Sequence, residues 1–447
     1  MSVEQLQELL KDNKIHELRS RLSDKNVIDI AEFCNDLTEE ECMKLFRFLP
    51  KAVCADVFSH LDSAKQKKII ESITDSELTY LINDLAIDDA VDVVEEMPAN
   101  IVAKILQVSE PDTRKLINQY LKYPDNSAGS VMTAEYIAIK ASFNVGQALD
   151  YIKKEGLDSA AFDNCYVIDG QRTLMGYVPF KTLVFGNDNL LVAQVMEKDV
   201  VSAQTTMDQE QVAELFRKYD LTSLPIVDKE NRLVGIITVD DIVDVIDEEN
   251  TEDFHKMSAM TPSDTDYLKS SVFNLAKHRI LWLMVLMISA TFTGNIIRKY
   301  EDVLQSVVLL AAYIPMLMDT GGNAGSQSAT LVIRGLALGE IEIKDLPEII
   351  WKEFGVSIIV GLTLGVVNFI RISLFDNVNP LIALVVCFSL FCTVILAEIV
   401  GGMLPILAKA CRLDPAIMAS PLITTIVDAC ALMIFFGLST QILHLAY

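Results

Sequence analysis

Positive charge is scarce in this chain. Against 62 Asp+Glu stand 37 Lys+Arg and 5 His, a net charge of −25 over 447 residues. So acidic a surface excludes a nucleic-acid partner and favours cations. Paired cysteines are missing. Cys34, Cys42, Cys54, Cys165, Cys387, Cys392, Cys411 and Cys430 form no CxxC pair, so neither a zinc site nor a disulfide framework is expected. No HExxH zinc motif or GxSxG elbow occurs, and the segments MLMD and TIVD lack the GxGD-type context of an intramembrane aspartyl protease. No enzyme activity is expected. The first residues, MSVEQLQELLKDNKIHELRS, are amphipathic and charged rather than the apolar core of a signal peptide, which assigns the front half to the cytosol.

Charge is also missing from long stretches of the second half. Residues 271–447 hold 10 Lys+Arg and 12 Asp+Glu, which leaves 27 and 50 for residues 1–270. An acidic soluble front is thus joined to a nearly neutral apolar back. From Leu275 on, runs of membrane length cover Ile280–Ile297, Val303–Leu338, Phe354–Phe375, Leu381–Leu407 and Ala416–Leu443, an expectation of five transmembrane helices. Splitting the long second run gives six. With the front half inside, the cytosolic ends carry Lys269, Lys277, Arg279, Arg334, Lys344, Lys352, Lys409 and Arg412, and the outer ends Arg298, Lys299 and Arg371. That bias places the N-terminus inside and the C-terminus outside.

The front half divides further. Residues 1–125 read as successive short helices with a shared rhythm, a small helical superhelix. Starts such as SDKN, TDSE and SEPD offer capping oxygens. Asp88, Asp92 and Glu95 fall at i, i+4 and i+7, on one helix side with Asp89 and Glu96 nearby. That side reads as a solvated face or as a contact for a cation or partner. Residues 126–247 contain a repeat. Val131-Met132 and Val195-Met196 open its two copies, and each copy runs strand, helix, strand, turn, strand, helix, with turns at DGQ and DKEN. Through LPIVDKENRLVGIITVDDIVDVI above all, the pair resembles tandem CBS domains, which implies a ligand-sensing α+β module for a nucleotide or a cation. Residues 248–274 then connect to the membrane domain, 275–447. Residues 240–266 hold ten acids, Asp264 and Asp266 among them, against the single Lys256. This acidic run reads either as solvated chain or as a helix that reports cation occupancy.

Three acids interrupt the apolar runs: Asp319, Glu398 and Asp428. A carboxylate at bilayer depth costs ~2.5–3.5 kcal/mol or more, and no intramembrane Lys or Arg stands ready to pair with these three. Asp319 lies in PMLMDTGGNAGSQSATLVIRG, whose glycines let backbones approach, and Asp428 in ASPLITTIVDACALMIFF, among the hydroxyls of Ser420, Thr424 and Thr425. Carbonyls, hydroxyls and carboxylates gathered in lipid point to a hard-cation pathway, although the glycines alone would also suit helix packing. Mg²⁺ is usually held by one or two carboxylates through a partly hydrated shell, which fits Asp428. Softer metals would call for His or Cys ligands. The only histidines near the spans, His278 and His444, sit at their ends.

Together DTGGNAGSQSATLVIRGLALGEI, DPAIMASPLITTIVDACALMIFF, the CBS-like pair and the acidic helical front resemble the MgtE family of magnesium channels over essentially the whole chain. The resemblance implies a homodimer in the plasma (inner) membrane, in contact with lipid, with five transmembrane helices per subunit and one pore. It implies Mg²⁺ uptake shut by cytosolic Mg²⁺ bound between the helical, CBS and connecting elements, with ATP a candidate ligand of the CBS pair. Asp428 matches the pore aspartate, and Asn323, Ser326 and Thr330 lie beside it with Asp319. Asp88, Asp92, Asp220, Asp241, Asp244, Glu249, Glu252, Asp253 and Asp414 match the sensor acids. Asp319 stands where bacterial relatives can carry glycine, Ser326 and Ser420 where some carry asparagine, and Glu398 has no counterpart in the pattern. A coupled carrier or exporter of divalent cations is the alternative.

Overall fold

The computed structural model describes residues 17, 18, 22, 25–155, 161–263, 267, 268, 270–376, 378–418 and 420–443. Asp264, Asp266, Lys269 and His444 lie outside them. The chain divides into two compact units, residues 1–245 and 246–447.

From Val27 on, the described part of the first unit runs through eight short helices: α1 Val27–Asp36, α2 Glu39–Phe46, α3 Cys54–Ser59, α4 Ser63–Ser72, α5 Asp75–Asp84, α6 Ile87–Glu96, α7 Ala99–Val108 and α8 Pro111–Tyr120. Their starts are written locally. Asn26 accepts from the Ile28 amide, and Thr38 with Glu41 and Thr74 with Glu77 form reciprocal capping boxes. The SEPD start differs, because Glu110 caps α8 without a side-chain bond and Pro111 opens the helix instead. Each helix packs on the one two places along, from α1 on α3 through to α6 on α8. That regular step makes the expected superhelix. Its core is filled from apolar stripes such as Ile87, Ala90, Val91 and Val94 of α6.

A short α9, Ala128–Val131, leads into two copies of one αβ unit. The first contains β1 Ala138–Lys140, α10 Val145–Glu155, β2 Asn164–Ile168, β3 Leu174–Pro179 and α11 Phe180–Phe185. A linking α12, Val192–Val195, precedes the second, which contains β4 Ala203–Gln204, α13 Gln209–Tyr219, β5 Ser223–Val227, β6 Leu233–Thr238 and α14 Val239–Met257. In both sheets the first pair is parallel and the second antiparallel, with a register shift at Val167/Ile168 and again at Ile226/Val227. The turns correspond as well. The Asp169 carboxylate accepts from the amides of Gln171 and Thr173, and Asp228 from those of Glu230 and Arg232. Arg172 and Asn231 both take left-handed φ, 66° and 61°. The two turns then exchange bonds: Leu174 N donates to Asn231 O at 2.9 Å and Leu233 N to Arg172 O at 3.0 Å. A repeat that pairs through its own turns has approximate two-fold symmetry inside one chain.

The second unit is helical: α15 Val272–Lys299, α16 Glu301–Ser306, a 3₁₀ segment Val308–Tyr313, α17 Ile314–Ala337, α18 Leu346–Arg371, α19 Pro380–Ala410 and α20 Ser420–Ile442. Among the described residues, four stretches are long and apolar enough to cross a membrane: Val272–Lys299, Ile343–Asp376, Pro380–Ala410 and Pro415–Ile442. The remaining expected span falls within the run Val303–Leu338. Its first part is broken into α16 and the 3₁₀ segment, and α17 alone supplies a continuous 24-residue helix. At 1.5 Å per residue α17 is about 36 Å long, enough for a ~30 Å hydrocarbon layer. Its glycines, hydroxyls and Asp319 lower its hydropathy. α17 packs against both α19 and α20, and α15 against α20.

Glycines set how closely these helices meet. A Cβ on Gly401 of α19 would sit 2.2 Å from the Gly325 carbonyl oxygen of α17. A Cβ on Gly322 would sit 2.7 Å from Thr424 Cγ2 of α20, and one on Gly321 would be 2.7 Å from Thr393 Cγ2 of α19. The packing role of the motif glycines is therefore real, and it leaves Asp319 to be explained separately.

Candidate functional site

The opposite side of α17 is polar. Asp319, Asn323, Ser326 and Thr330 follow at i, i+4, i+7 and i+11, a spacing that keeps them on one face. Asp319, Asn323 and Thr330 are exposed and Ser326 is half-buried, whereas Gly321, Gly322, Gly325 and Ala329 are buried on the packed face. The stripe runs for about 16 Å along the helix. Ser326 Oγ donates to Gly322 O at 2.7 Å and Thr330 Oγ1 to Ser326 O at 2.8 Å, so both hydroxyls are anchored on the helix's own backbone.

Asp428 is half-buried on α20, the helix that meets α17 at Gly322 and Thr424. Asp319 is the charged neighbour whose field reaches it. Thr424 and Thr425, one turn before, both donate to Pro421 O, the carbonyl in the first turn of α20, at 3.0 and 2.9 Å. The structure thus brings Asp319 and Asp428 into one electrostatic neighbourhood at the edge of a polar stripe. Two carboxylates and a line of oxygens at membrane depth can hold a partly hydrated hard cation.

In the first unit the sequence-selected acids separate into groups. Asp88, with Asp89 beside it on α6, meets the field of Asp241 from the start of α14. Burial, then the charges of Asp89 and Asp241, push the Asp88 carboxyl up to about 7. Its Oδ1 is buried with no hydrogen-bond partner. Burial likewise raises Asp89 and Asp241, the latter despite accepting from Thr238 Oγ1 at 2.6 Å. Asp244 is exposed and adds its charge to Asp241. Asp92 is exposed on α6. Asp220 stands elsewhere, at the left-handed C-cap of α13 (φ 50°), where it lines a cavity.

The linkage at Asp88 has a definite sign. Its carboxyl is raised in the folded chain from an ordinary 3.8 to about 7, so the folded state binds the extra proton across that window. Without divalent cations, the stability that this group confers is present at low pH and is lost as pH rises from about 4 to about 7. Asp88→Asn should remove that dependence and raise the melting temperature of the cation-free protein at pH 8, an effect of about 1–3 kcal/mol for relieving a buried unsatisfied acceptor. Thermal melts against pH in a chelating buffer check it, and an unchanged slope would count against the site.

The remaining selected acids belong to the second unit. Lys256 Nζ lies 2.5 Å from Glu252 Oε1 and 2.5 Å from Asp414 Oδ2. The ammonium therefore ties the end of α14 to the turn between α19 and α20. Burial opposes its charge, but the two carboxylates outweigh burial and hold Lys256 above the ordinary lysine range. Asp253 beside it is pushed up to about 6, by burial first and then by Asp414. Glu249 adds to the same field. A clamp by Lys256 was not legible in the sequence, because lone lysines in acidic runs are usually solvated.

A cavity of about 820 Å³ in the paired αβ unit was also missed. It is walled by β2, α11 and the α13–β5 loop. Tyr166, Tyr177, Tyr219 and Phe180 supply rings, Thr182, Thr222 and Ser223 hydroxyls, and Lys181 the cation among Asp163, Glu197, Asp199 and Asp220. The signal available was the repeat itself, since Asp163-Asn164 and Thr222-Ser223 begin the equivalent strands β2 and β5.

Comparison with known proteins agrees with this architecture. Residues 314–438 match the family model described as MgtE, divalent cation transporter. Residues 25–126 match the MgtE intracellular N domain, and residues 192–248 a CBS domain. The magnesium transporter MgtE of Thermus thermophilus is 34% identical over 98% of this chain and 98% of its own length. That of Bacillus subtilis is 33% identical over 98% and 96%. The crystal structure of the cytosolic domain of the Mg²⁺ channel MgtE in complex with ATP matches with a TM-score of 0.52 and 31% identity, covering 55% of this chain and 100% of that one. On identity and coverage of this extent, the chain belongs to the MgtE family of divalent cation transporters.

Proposed function

We propose that this protein moves Mg²⁺ across the plasma membrane along the polar stripe of α17, with Asp428 as the principal cation ligand. The observation that carries the reading is the stripe itself. An otherwise lipid-compatible helix turns Asp319, Asn323, Ser326 and Thr330 outward along one face, beside Asp428. Exposed to hydrocarbon, that face would be costly, so it fits a water-filled path. A second copy of the chain related by two-fold symmetry would close the path and double its ligands, which is the reason to read a homodimer embedded in lipid. The basic-residue bias supports an N-terminus in the cytosol and a C-terminus outside.

Residues 1–125 and 126–247 are read as the sensor, 248–274 as the connection and 275–447 as the pore domain. Asp88, Asp92, Asp241 and Asp244, then Glu249, Glu252, Asp253 and Asp414, would take Mg²⁺ when its cytosolic level is high and so stop uptake. The half-buried acids with raised protonation at Asp88, Asp241 and Asp253 support this, because a divalent ion relieves the same repulsion that a proton relieves. Asp220 is read instead with the cavity, where ATP would bind as its Mg²⁺ complex. The four carboxylates lining it would repel a bare triphosphate.

The test is Mg²⁺ flux into proteoliposomes with sensor-side Mg²⁺ set low or high. The full chain should pass Mg²⁺ at low sensor-side Mg²⁺ and shut steeply as it rises. Moving a gate from 1:99 to 99:1 requires about 5.5 kcal/mol, which several weak sites together can supply. A shallow, single-site response would sink the sensor assignment, and passage of other cations without Mg²⁺ would sink the pore assignment.

A further inference from the structure

The third membrane acid, Glu398, belongs to neither site above. It lies on α19 and is 5% exposed, buried within the chain itself. Its Oε2 has no hydrogen-bond partner. A carboxylate oxygen left unpaired in the interior of a helix bundle calls for a ligand, since nearly all buried polar groups find one. Two other helices bring oxygens to the same place. Ser328 of α17 donates its hydroxyl to the Glu398 carbonyl oxygen at 2.9 Å. Glu353 of α18 is the charged side chain whose field reaches Glu398.

Gly402 defines the space between them. It lies one turn beyond Glu398 on the same face of α19. A Cβ there would stand 3.0 Å from Glu353 Cγ and 3.1 Å from Ser328 Oγ, so glycine is what lets all three helices meet this closely beside Glu398. Two acidic side chains, a hydroxyl oxygen and a backbone carbonyl gather where these helices meet, and the two negative charges match one divalent ion.

We propose that Glu398, Glu353 and Ser328 form a second intramembrane cation site, for a hard divalent metal ion, separate from Asp428. The site is internal to one subunit, because Glu398 is enclosed by its own chain.

Crystals of the full-length protein soaked in Mn²⁺, used as an anomalous scatterer in place of Mg²⁺, test the assignment directly. An anomalous peak between Glu398 and Glu353 is expected. It should persist in Asp428→Asn, vanish in Glu398→Gln and weaken in Ser328→Ala, a gentler change if the glutamine variant folds poorly. A peak at Asp428 with none at Glu398 overturns the proposal. So does an infrared carbonyl band of a protonated carboxyl that disappears in Glu398→Gln and is unmoved by Mn²⁺, since a proton would then be the ligand. A peak at Glu398 with none at Asp428 leaves the proposal standing and removes the pore reading instead.

Discussion

Asp428→Ala is expected to reduce Mg²⁺ uptake to the level of empty vesicles while the protein still inserts and elutes as the wild type does. The change removes the charge that α20 presents to the polar face of α17 and leaves Thr424 and Thr425, whose hydroxyls are engaged with Pro421 O. Losing one partner of a half-buried charged contact costs about 3–5 kcal/mol, which lowers site occupancy ~100-fold or more. Asp428→Asn should fall between the two, because the amide keeps an oxygen and loses the charge. Asp319→Asn should act more weakly on the rate, since Asp319 is exposed, and more visibly on which cations pass. Proteoliposome flux measured with Mg²⁺ and with competing divalent ions separates these outcomes. Unaltered uptake by a normally inserted Asp428→Ala protein refutes the pore assignment.

Gly401→Ala should be as damaging to folding as Asp428→Ala is to transport. Its new methyl would lie 2.2 Å from the Gly325 carbonyl oxygen, and backbone on the facing helix cannot swing aside as a side chain can. Overpacking of cores costs typically 1–3 kcal/mol, and a clash with backbone at the central α17–α19 contact belongs at or above about 3 kcal/mol. Gly365→Ala is the matched control. It is also a membrane-helix glycine, but its Cβ would meet only the Cys387 carbonyl oxygen at 3.6 Å, an ordinary contact. Thermal unfolding in detergent should therefore show a large drop for the first variant and little change for the second. Equal melting temperatures would mean that α17 and α19 separate more readily than their packing implies.

The parts of this molecule legible in its sequence are those written in local pattern. Thr38 with Glu41 and Thr74 with Glu77 announce helix starts, and the equivalent turns at Asp169 and Asp228 announce a repeat. The i, i+4, i+7 series from Asp319 to Thr330 needs only the helical period to fall on one face. The apolar run from Val303 contains the expected span without marking where it begins. Hydropathy does not register the break between α16 and the 3₁₀ segment, nor that α17 is shielded by two neighbouring helices. What stayed hidden depends on partners distant in sequence. Lys256 and Asp414 are separated by 158 residues, and Glu353, Ser328 and Glu398 come from three helices. Single residues of this kind carry no periodicity, so only the assembled bundle reveals them.

The Lys256 clamp also bears on how the protein would measure its surroundings. A divalent ion that bridges Glu252 and Asp414 must first evict an ammonium attached to the same helix. Tethering holds that ammonium at an effective concentration of roughly millimolar or more, whatever the ionic composition of the bulk. On the sensor reading proposed above, Lys256 would serve as a fixed internal reference against which free cation is compared. The set point of such a comparator is written into the covalent chain, and a single substitution at residue 256 would recalibrate it without touching a cation ligand.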